Sequence, residues 1–285
     1  MKLGVSTYSL SRAMASGEMS VTDAIRWIAE AGGQHVEIVP FGFSLTDNPE
    51  LIGSIVRTAA ETGLEVSNYA VGANFVTDDE AAFEAEIRRV MGEVDIARAL
   101  GAKRMRHDVA RREGGTSAMF VRELPKLAEA CRRIADYAAP FGITTSVENH
   151  GYYVQHSDRV TALVEAAGRP NFRLTMDVGN FMCADEESVS AVKKTISYAS
   201  MVHLKDFYLR PASRDPGEGF FRTLSGNYLR GAIVGQGDID MREALRVVKA
   251  SGYDGYVSIE FEGMEECKLG TRIGLANARR MWDEV

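Results

Sequence analysis

The sequence has few of the features that secreted or membrane-spanning proteins show. Its three cysteines, Cys131, Cys183 and Cys267, are an odd number, lie far apart and form no CxxC pair. A disulfide framework is therefore not expected, and a reducing cytoplasm is the predicted location. The N-terminal segment has polar residues where a signal peptide needs an unbroken apolar run. No segment approaches the roughly 18 consecutive apolar residues of a membrane span.

The sequence also lacks an excess of positive charge. Lysine and arginine number 33 against 40 aspartate and glutamate residues, which gives a formal net charge of −7. Such a chain has no overall field that attracts nucleic acid or an anionic membrane, so neither partner is expected. The hydrophobic fraction of 45% and the charged fraction of 26% are those of an ordinary globular protein.

The sequence does contain a regular alternation of short apolar runs with longer segments of helical period. Glycine ends several of the helical segments, as in AGGQHVEI and ETGLEVSN, where the left-handed conformation costs it no Cβ clash. Eight apolar runs are predicted strands, over residues 3–8, 34–39, 64–71, 103–109, 143–148, 172–177, 201–206 and 256–261.

The segments between these runs have the spacing of amphipathic helices. In residues 20–31, Val21, Ala24, Ile25 and Ile28 recur along one helix face behind the N-cap Ser20. Further helices are predicted over residues 79–100, 117–139, 157–167, 186–199, 241–250 and 264–282, and another is predicted to begin at Asn48-Pro49.

Strand–helix alternation repeated eight times predicts an α/β protein with a single (β/α)8 TIM barrel domain over residues 1–285. A doubly wound open sheet is the alternative, and the absence of GxGxxG after the first strand disfavours it. Residues 207–239 are rich in Pro, Gly and Arg and show no clear helix, which predicts a long loop after the seventh strand. We interpret this loop as an active-site loop or lid, with oligomer packing as the alternative.

Residues that can carry chemistry cluster at the predicted strand ends, where barrel active sites lie. Glu148, Asp177, His203 and Glu260 come from the fifth to eighth predicted strands. Three converging carboxylates without a cation would repel one another, whereas three carboxylates and a neutral imidazole form a stable set around Mn²⁺, Mg²⁺, Co²⁺ or Zn²⁺. Polar strand ends that cap helices or form ion pairs are the alternative interpretation.

Five short motifs, in order along the predicted fifth to eighth strands, carry a resemblance to a known family. They are SVENHG at 146–151, MDVGNF at 176–181, MVHLKDF at 201–207, VGQGDID at 234–240 and VSIEFEG at 257–263. The chain resembles the xylose-isomerase-like TIM barrels, in the sugar phosphate isomerase/epimerase group that includes ketose 3-epimerases and inosose-handling enzymes. The resemblance covers essentially the whole chain and specifies the superfamily better than the substrate.

The resemblance implies that Glu148, Asp177, His203 and Glu260 bind one divalent metal ion, manganese first, and that Glu148 and Glu260 also form an acid–base pair. Removal and return of a proton beside a polarised carbonyl require such groups. The predicted function is therefore a metal-dependent isomerase or epimerase of a sugar or keto-polyol, with a homodimer or homotetramer as the family expectation. The predicted substrate contacts are Glu37, His107, Asn180, Lys205 and Arg210.

One departure from the family pattern keeps other reactions open. Many ketose 3-epimerases of this family have a histidine where this chain has Asn180, and an amide does not exchange a proton near neutral pH. A lyase on the same scaffold, of the inosose or 3-dehydroshikimate dehydratase type, is the first alternative. An apurinic-site endonuclease is disfavoured, because five histidines and net acidity do not suit a three-metal cluster and a DNA groove. A metal-free binding barrel is the last alternative.

Overall fold

The computed structural model describes residues 1–112 and 114–285. Within them, eight parallel strands form a closed barrel, in which the last strand pairs with the first. The predicted barrel is thus confirmed, and the open-sheet alternative is wrong. In chain order, β1 (Lys2–Ser6), β2 (His35–Ile38), β3 (Glu65–Val71), β4 (Arg104–His107), β5 (Thr144–Glu148), β6 (Phe172–Asp177) and β7 (Ala199–Leu204) belong to the barrel; β8 (Asp206–Arg210), β9 (Phe221–Arg222) and β10 (Tyr228–Ala232) form a second sheet; and β11 (Tyr256–Ile259) closes the barrel.

Helices follow the barrel strands and cover them with their apolar faces. None of the helices in the described residues is long and apolar enough to cross a membrane. The helices are α1 (Ser11–Ala15), α2 (Val21–Glu30), α3 (Pro49–Thr62), α4 (Glu80–Ala99), α5 (Ser117–Ala138), α6 (Ser157–Ala167), α7 (Ser188–Thr195), α8 (Met241–Ala250) and α9 (Cys267–Glu284).

Local sequence signals explain where these helices begin and end. Ser20 and Asp23 form a capping box at the start of α2, in which each side chain accepts from the backbone N–H of the other. Asn48 caps α3 and Pro49 occupies its first position, while Gly63 ends α3 with a φ of 71°. These signals are local, and for that reason each predicted helix is present with ends that differ by only a few residues.

Strand register brings the carboxyl ends of the central strands to one level. Asp177, the last residue of β6, is the Cα partner of His203 on β7. One layer below, the hydroxyls of Ser146 and Thr175 hydrogen-bond at 2.8 Å across β5 and β6. Because residues two apart on a strand share a face, Glu148 and Asp177 point into the same barrel interior above these hydroxyls.

The segment after β7 differs from the loop that its composition predicts. It contains β8, β9 and β10, which form an antiparallel sheet with β10 in the middle. Phe207 and Leu229 are fully buried in this sheet. Asp206 accepts hydrogen bonds from the backbone of Gly235 (2.9 Å) and Gly237 (3.0 Å), which fixes the return of the chain toward α8. β9 has only two residues, so it leaves no period-2 pattern in the sequence.

Candidate active site and metal centre

Three carboxylates and one imidazole meet at the carboxyl end of the barrel. Glu148 ends β5, Asp177 ends β6, His203 lies near the end of β7, and Glu260 directly follows β11. All four residues are buried, and each offers one potential ligand atom such that these atoms lie within 4.8 Å of one another. The structure therefore brings together the four residues that the sequence predicts as metal ligands.

A buried carboxylate fixes the orientation of His203. The Glu37 carboxylate lies 2.9 Å from His203 Nε2 and accepts a second hydrogen bond, at 2.7 Å, from Asn68 Nδ2. The Glu37 carboxylate makes Nε2 an N–H donor and turns Nδ1 toward the other carboxylates of the cluster, where a bound metal ion would take the place of the Nδ1 proton. Nδ1 faces oxygens of Glu148 and Glu260 at 3.7 and 3.6 Å, and it has no hydrogen-bond partner among the described residues.

The electrostatics of this cluster fit a divalent cation. Burial raises the pKa of Asp177 to about 6, and the charges of Glu148 and Glu260 add to the rise. Burial lowers the pKa of His203, but the carboxylates of Glu37 and Glu260 outweigh burial and hold that pKa well above its ordinary value. Oxygen and imidazole donors crowded in this way form a set that divalent ions bind. The residues present therefore fit one such ion.

Lys205 and Asn180 complete the acidic cluster on its solvent side. Lys205 Nζ lies 3.0 Å from Glu260 Oε2 and 3.3 Å from Asp177 Oδ2. Asn180 Nδ2 donates to Glu148 Oε1 at 2.9 Å, and Asn180 Oδ1 accepts from Lys205 Nζ at 3.3 Å. Both residues line the cavity above the cluster. Asn180 therefore links Glu148 to Glu260: its own amide bonds to Glu148, and the Lys205 ammonium that it holds pairs with Glu260.

Arg106 is a site residue that the sequence reasoning missed. Its Nε donates to Glu148 Oε2 at 2.6 Å, and its guanidinium also pairs with Asp108 at 3.2 Å. The nearby carboxylates of Asp108 and Glu148 outweigh burial and raise the pKa of Arg106, so it stays charged. The available signal was alternation along β4, which turns Arg106 to the barrel interior when its neighbour faces outward.

His107 is that outward-facing neighbour. Its ring is fully buried between Phe75 and Phe172, each with a ring centroid 6.0 Å away. Its Nδ1 hydrogen-bonds the backbone oxygen of Asp108 at 2.9 Å. Burial lowers the pKa of His107 to about 4, which keeps the ring neutral. The structure thus places His107 in the helix-facing core, away from the cavity where a substrate contact was predicted.

Two further predicted substrate contacts lie elsewhere in the structure. Glu37 is fully buried behind His203, so its carboxylate is bound to the imidazole and does not reach the cavity. Arg210 lies at the end of β8 with its side chain 44% exposed, and its guanidinium is 3.4 Å from Asp238. Strand position alone does not predict either location, because each depends on which oppositely charged or hydrogen-bonding neighbour the side chain contacts.

A cavity of about 670 Å³ opens above the cluster. Tyr8 lies between the floor and the mouth of the cavity. The centroid of its ring is 5.8 Å from Lys205 Nζ and 6.1 Å from the ring centroid of Phe41. Burial raises the pKa of Tyr8 to about 12, so the phenol stays protonated. At the floor of this cavity lie the carboxylates of Glu148 and Glu260, the Lys205 ammonium and the Arg106 guanidinium, a set of groups suited to moving protons on a polar substrate.

Comparison with known proteins gives the same fold. The family model described as "Xylose isomerase-like TIM barrel" matches residues 25–282. The chain is 25% identical over 139 residues to the inosose dehydratase of Geobacillus thermodenitrificans (strain NG80-2). This match covers 48% of the chain and 46% of the dehydratase, so the chain spans about half the length of that curated relative.

Two solved structures superpose on nearly the whole chain. The crystal structure of IOLI protein with a bound zinc atom has a TM-score of 0.75 at 17% identity, and the match covers 100% of this chain and 97% of that one. The structure of L-ribulose 3-epimerase has a TM-score of 0.74, also at 17% identity, with 99% and 97% covered. At these identities the likeness shows the shared barrel fold.

Proposed function

The chain belongs to the xylose isomerase-like TIM barrel family, and on that premise we propose that it is a divalent-metal-dependent isomerase or epimerase of a sugar or keto-polyol. The observation that carries the proposal is the pair of buried carboxylates, Glu148 and Glu260, at the floor of one cavity. Both reactions need a proton taken from the carbon beside a carbonyl and a proton returned. Two carboxylates on separate strands supply both steps.

We propose that Glu148, Asp177, His203 and Glu260 together hold one divalent ion, Mn²⁺ in the first instance and Mg²⁺, Co²⁺ or Zn²⁺ as alternatives. When bound, the ion would polarise the carbonyl of the substrate and stabilise the negative charge that develops on its oxygen. Glu37 supports the set by orienting His203 through Nε2.

The chain holds each acid–base carboxylate in one orientation. Both oxygens of Glu148 are bonded, Oε2 to Arg106 and Oε1 to Asn180. Glu260 is held by Lys205 at 3.0 Å. Groups fixed in this way lose little freedom when a substrate binds, which favours proton transfer at a defined carbon. One carboxylate takes the proton and the other returns it, so that the configuration or the carbonyl position changes.

A lyase is the second candidate, and the position of Lys205 favours it. Its ammonium stands at the cavity floor next to Glu260, where it can donate a hydrogen bond to a substrate hydroxyl as that hydroxyl leaves. The similarity to inosose dehydratase supports the same candidate. Elimination begins with the same proton abstraction, so the mass of the product separates the reactions: a lyase product is lighter by one water.

Glu148→Gln and Glu260→Gln test the acid–base pair. Each amide keeps the shape of the side chain but accepts no proton, so we expect hydrogen–deuterium exchange of ketoses and inososes in D₂O to slow by about 10²–10⁴-fold. Mass spectrometry and NMR of the sugar measure this exchange with Mn²⁺-supplemented protein. Glu50→Gln, at an exposed position in the first turn of α3, is the matched control.

Elemental analysis of the same proteins shows whether each variant still holds its metal ion. A variant that binds metal and exchanges protons at the wild-type rate would remove that carboxylate from the mechanism. Wild-type protein that exchanges no proton of any ketose, inosose or dehydroshikimate would contradict the proposed function itself.

We propose a small carbohydrate or keto-polyol as the partner of this site. A cytoplasmic location and a homodimer or homotetramer stay predictions. Light scattering during size-exclusion chromatography checks the oligomeric state, and a monomer would contradict that prediction.

A further inference from the structure

The cavity is larger than the sugar that its floor would bind. Its volume of about 670 Å³ lies within the range of roughly 300–1,000 Å³ that accommodates a drug-sized ligand. A single six-carbon sugar placed against Glu148, Glu260 and Lys205 occupies the inner part alone. The outer part therefore has room for a second chemical group attached to that sugar.

Aromatic side chains stand on opposite sides of this outer part. Phe41 and Phe43 follow β2, and Phe41 is 49% exposed. Tyr152 follows β5, and Phe221 lies on β9 in the segment after β7. In the barrel order, β2 lies directly across from β6, and β5 and β7 are the two neighbours of β6. The topology thus places one pair of rings across the mouth from the other.

Tyr152 occupies its place at a cost in backbone strain. Its φ is +67°, a value that a bulky side chain rarely adopts. Its hydroxyl donates to the backbone oxygen of Arg222 at 3.1 Å, and its backbone N–H donates to the Gln155 side chain. Gln155 in turn donates to the backbone oxygen of Asn180. Strain of this kind persists where contacts over-determine it, and it concentrates at ligand-binding positions.

We propose that Phe41, Phe43, Tyr152 and Phe221 form an aromatic subsite, and that the substrate is a keto-sugar carrying a flat aromatic substituent such as a phenolic aglycone. The rings take the substituent while the sugar lies on the carboxylates of the floor. The inference rests on the proposed function for the position of the sugar.

The chemistry of the rim favours an aromatic group over a second sugar or a phosphate. Residues 39–46, VPFGFSLT, contain no charged side chain to bind a phosphate, and the hydroxyls of Ser44 and Thr46 are their only polar side-chain groups for a second sugar. Exposed rings gain most when apolar surface covers them, and aromatic pairs add an orientation preference. On the cavity wall, Arg89 is paired with Glu86 and Glu93. Arg111 also lines the wall, so an anionic substituent is the alternative occupant.

Isothermal titration of the Mn²⁺-supplemented protein compares phenyl β-D-glucopyranoside with methyl β-D-glucopyranoside. We expect the phenyl glucoside to bind at least about tenfold more tightly, because its ring is covered on two sides. Phe41→Ala should remove most of that preference, and Phe41→Trp should retain it. Val121→Ala, which removes an exposed apolar side chain from α5, is the control and should alter neither affinity.

Equal affinities for the two glucosides, or binding of neither, would overturn the aromatic subsite. Tighter binding of cellobiose would assign the outer part to a second sugar, and tighter binding of glucose 6-phosphate would assign it to an anion; either result replaces the proposal. Failure of the proposed function is distinguishable, because it appears as wild-type protein that exchanges no deuterium while the preference for the phenyl glucoside persists.

Discussion

Two buried histidines at opposite ends of the barrel show how burial and nearby carboxylates compete to set the pKa of an imidazole. His35 begins β2, and its Nε2 donates to the backbone oxygen of Val257 at 3.1 Å. Burial lowers the pKa of His35 to about 4, so its ring is neutral. His203 is equally buried, but Glu37 and Glu260 hold its pKa well above the ordinary value. The same side chain is a packing element at one end and a candidate ligand at the other.

One strand supplies a residue to each of these regions. His35 and Glu37 lie two apart on β2, so both face the barrel interior, in successive layers. The lower layer has room for the His35 ring because Gly4 lies against it: a Cβ on Gly4 would be 2.6 Å from a ring carbon. The upper layer uses its space for charge, with Asn68 and His203 bound to Glu37. Steric packing thus determines the arrangement of the lower layer, and electrostatic interactions determine that of the upper layer.

Replacement of Glu37 is the change that should most separate the two regions. We expect Glu37→Gln to weaken Mn²⁺ binding by about 10–100-fold, because a neutral amide orients His203 and supports its basicity less well. His35→Gln, two residues away on the same face, should leave the affinity unchanged. Titration of metal-stripped protein with Mn²⁺ measures both affinities. Equal losses of Mn²⁺ affinity in the two variants would show that metal binding follows the stability of the barrel in general. That result would contradict the distinction between the two layers.

The sequence predicts the barrel and the four-residue cluster well, because both depend on local pattern. Glycine-ended helices and apolar runs define the strands, and strand ends converge in a closed barrel, which places Asp177 and Glu260 together. The sequence does not show which side chain faces inward on a short strand. For the four-residue β4 the sequence therefore predicts His107 as the site residue, whereas the structure has Arg106 in the interior.

The remaining differences between the sequence predictions and the structure concern the partners of individual charged side chains. Glu37 is at a strand end, as predicted, yet it contacts His203 and Asn68 in place of a substrate. Arg210 lies in the predicted long segment, but β8 directs it toward Asp238. A period-2 or period-3.6 pattern contains no information on such pairings, because they arise between residues distant in sequence.

Gly4→Ala should affect the lower region and leave the upper one intact. The new methyl group meets the backbone and ring of His35, so we expect a loss of about 2 kcal/mol in the free energy of unfolding, typical of an overpacked core. Urea unfolding measures this loss as a lower midpoint with an unchanged slope. Gly92→Ala, in α4 with open space around it, is the control and should stabilise the protein slightly. Weakened Mn²⁺ binding by folded Gly4→Ala protein would show that the layers are coupled.

The pH dependence of stability should reveal the neutral state of His35. Its pKa of about 4 in the folded protein lies below the roughly 6.5 of an unfolded chain. Between these values the unfolded chain binds more protons, so stability falls as the pH falls. Between pH 7 and pH 5.5 we expect His35 to remove about 1 kcal/mol from the free energy of unfolding. The measurement is the difference between wild-type and His35→Gln urea curves at the two pH values, since His107 and the acidic cluster titrate in both proteins. Curves that shift in parallel would mean that His35 takes up a proton in the folded barrel as readily as in the unfolded chain, and burial would then not explain the contrast with His203.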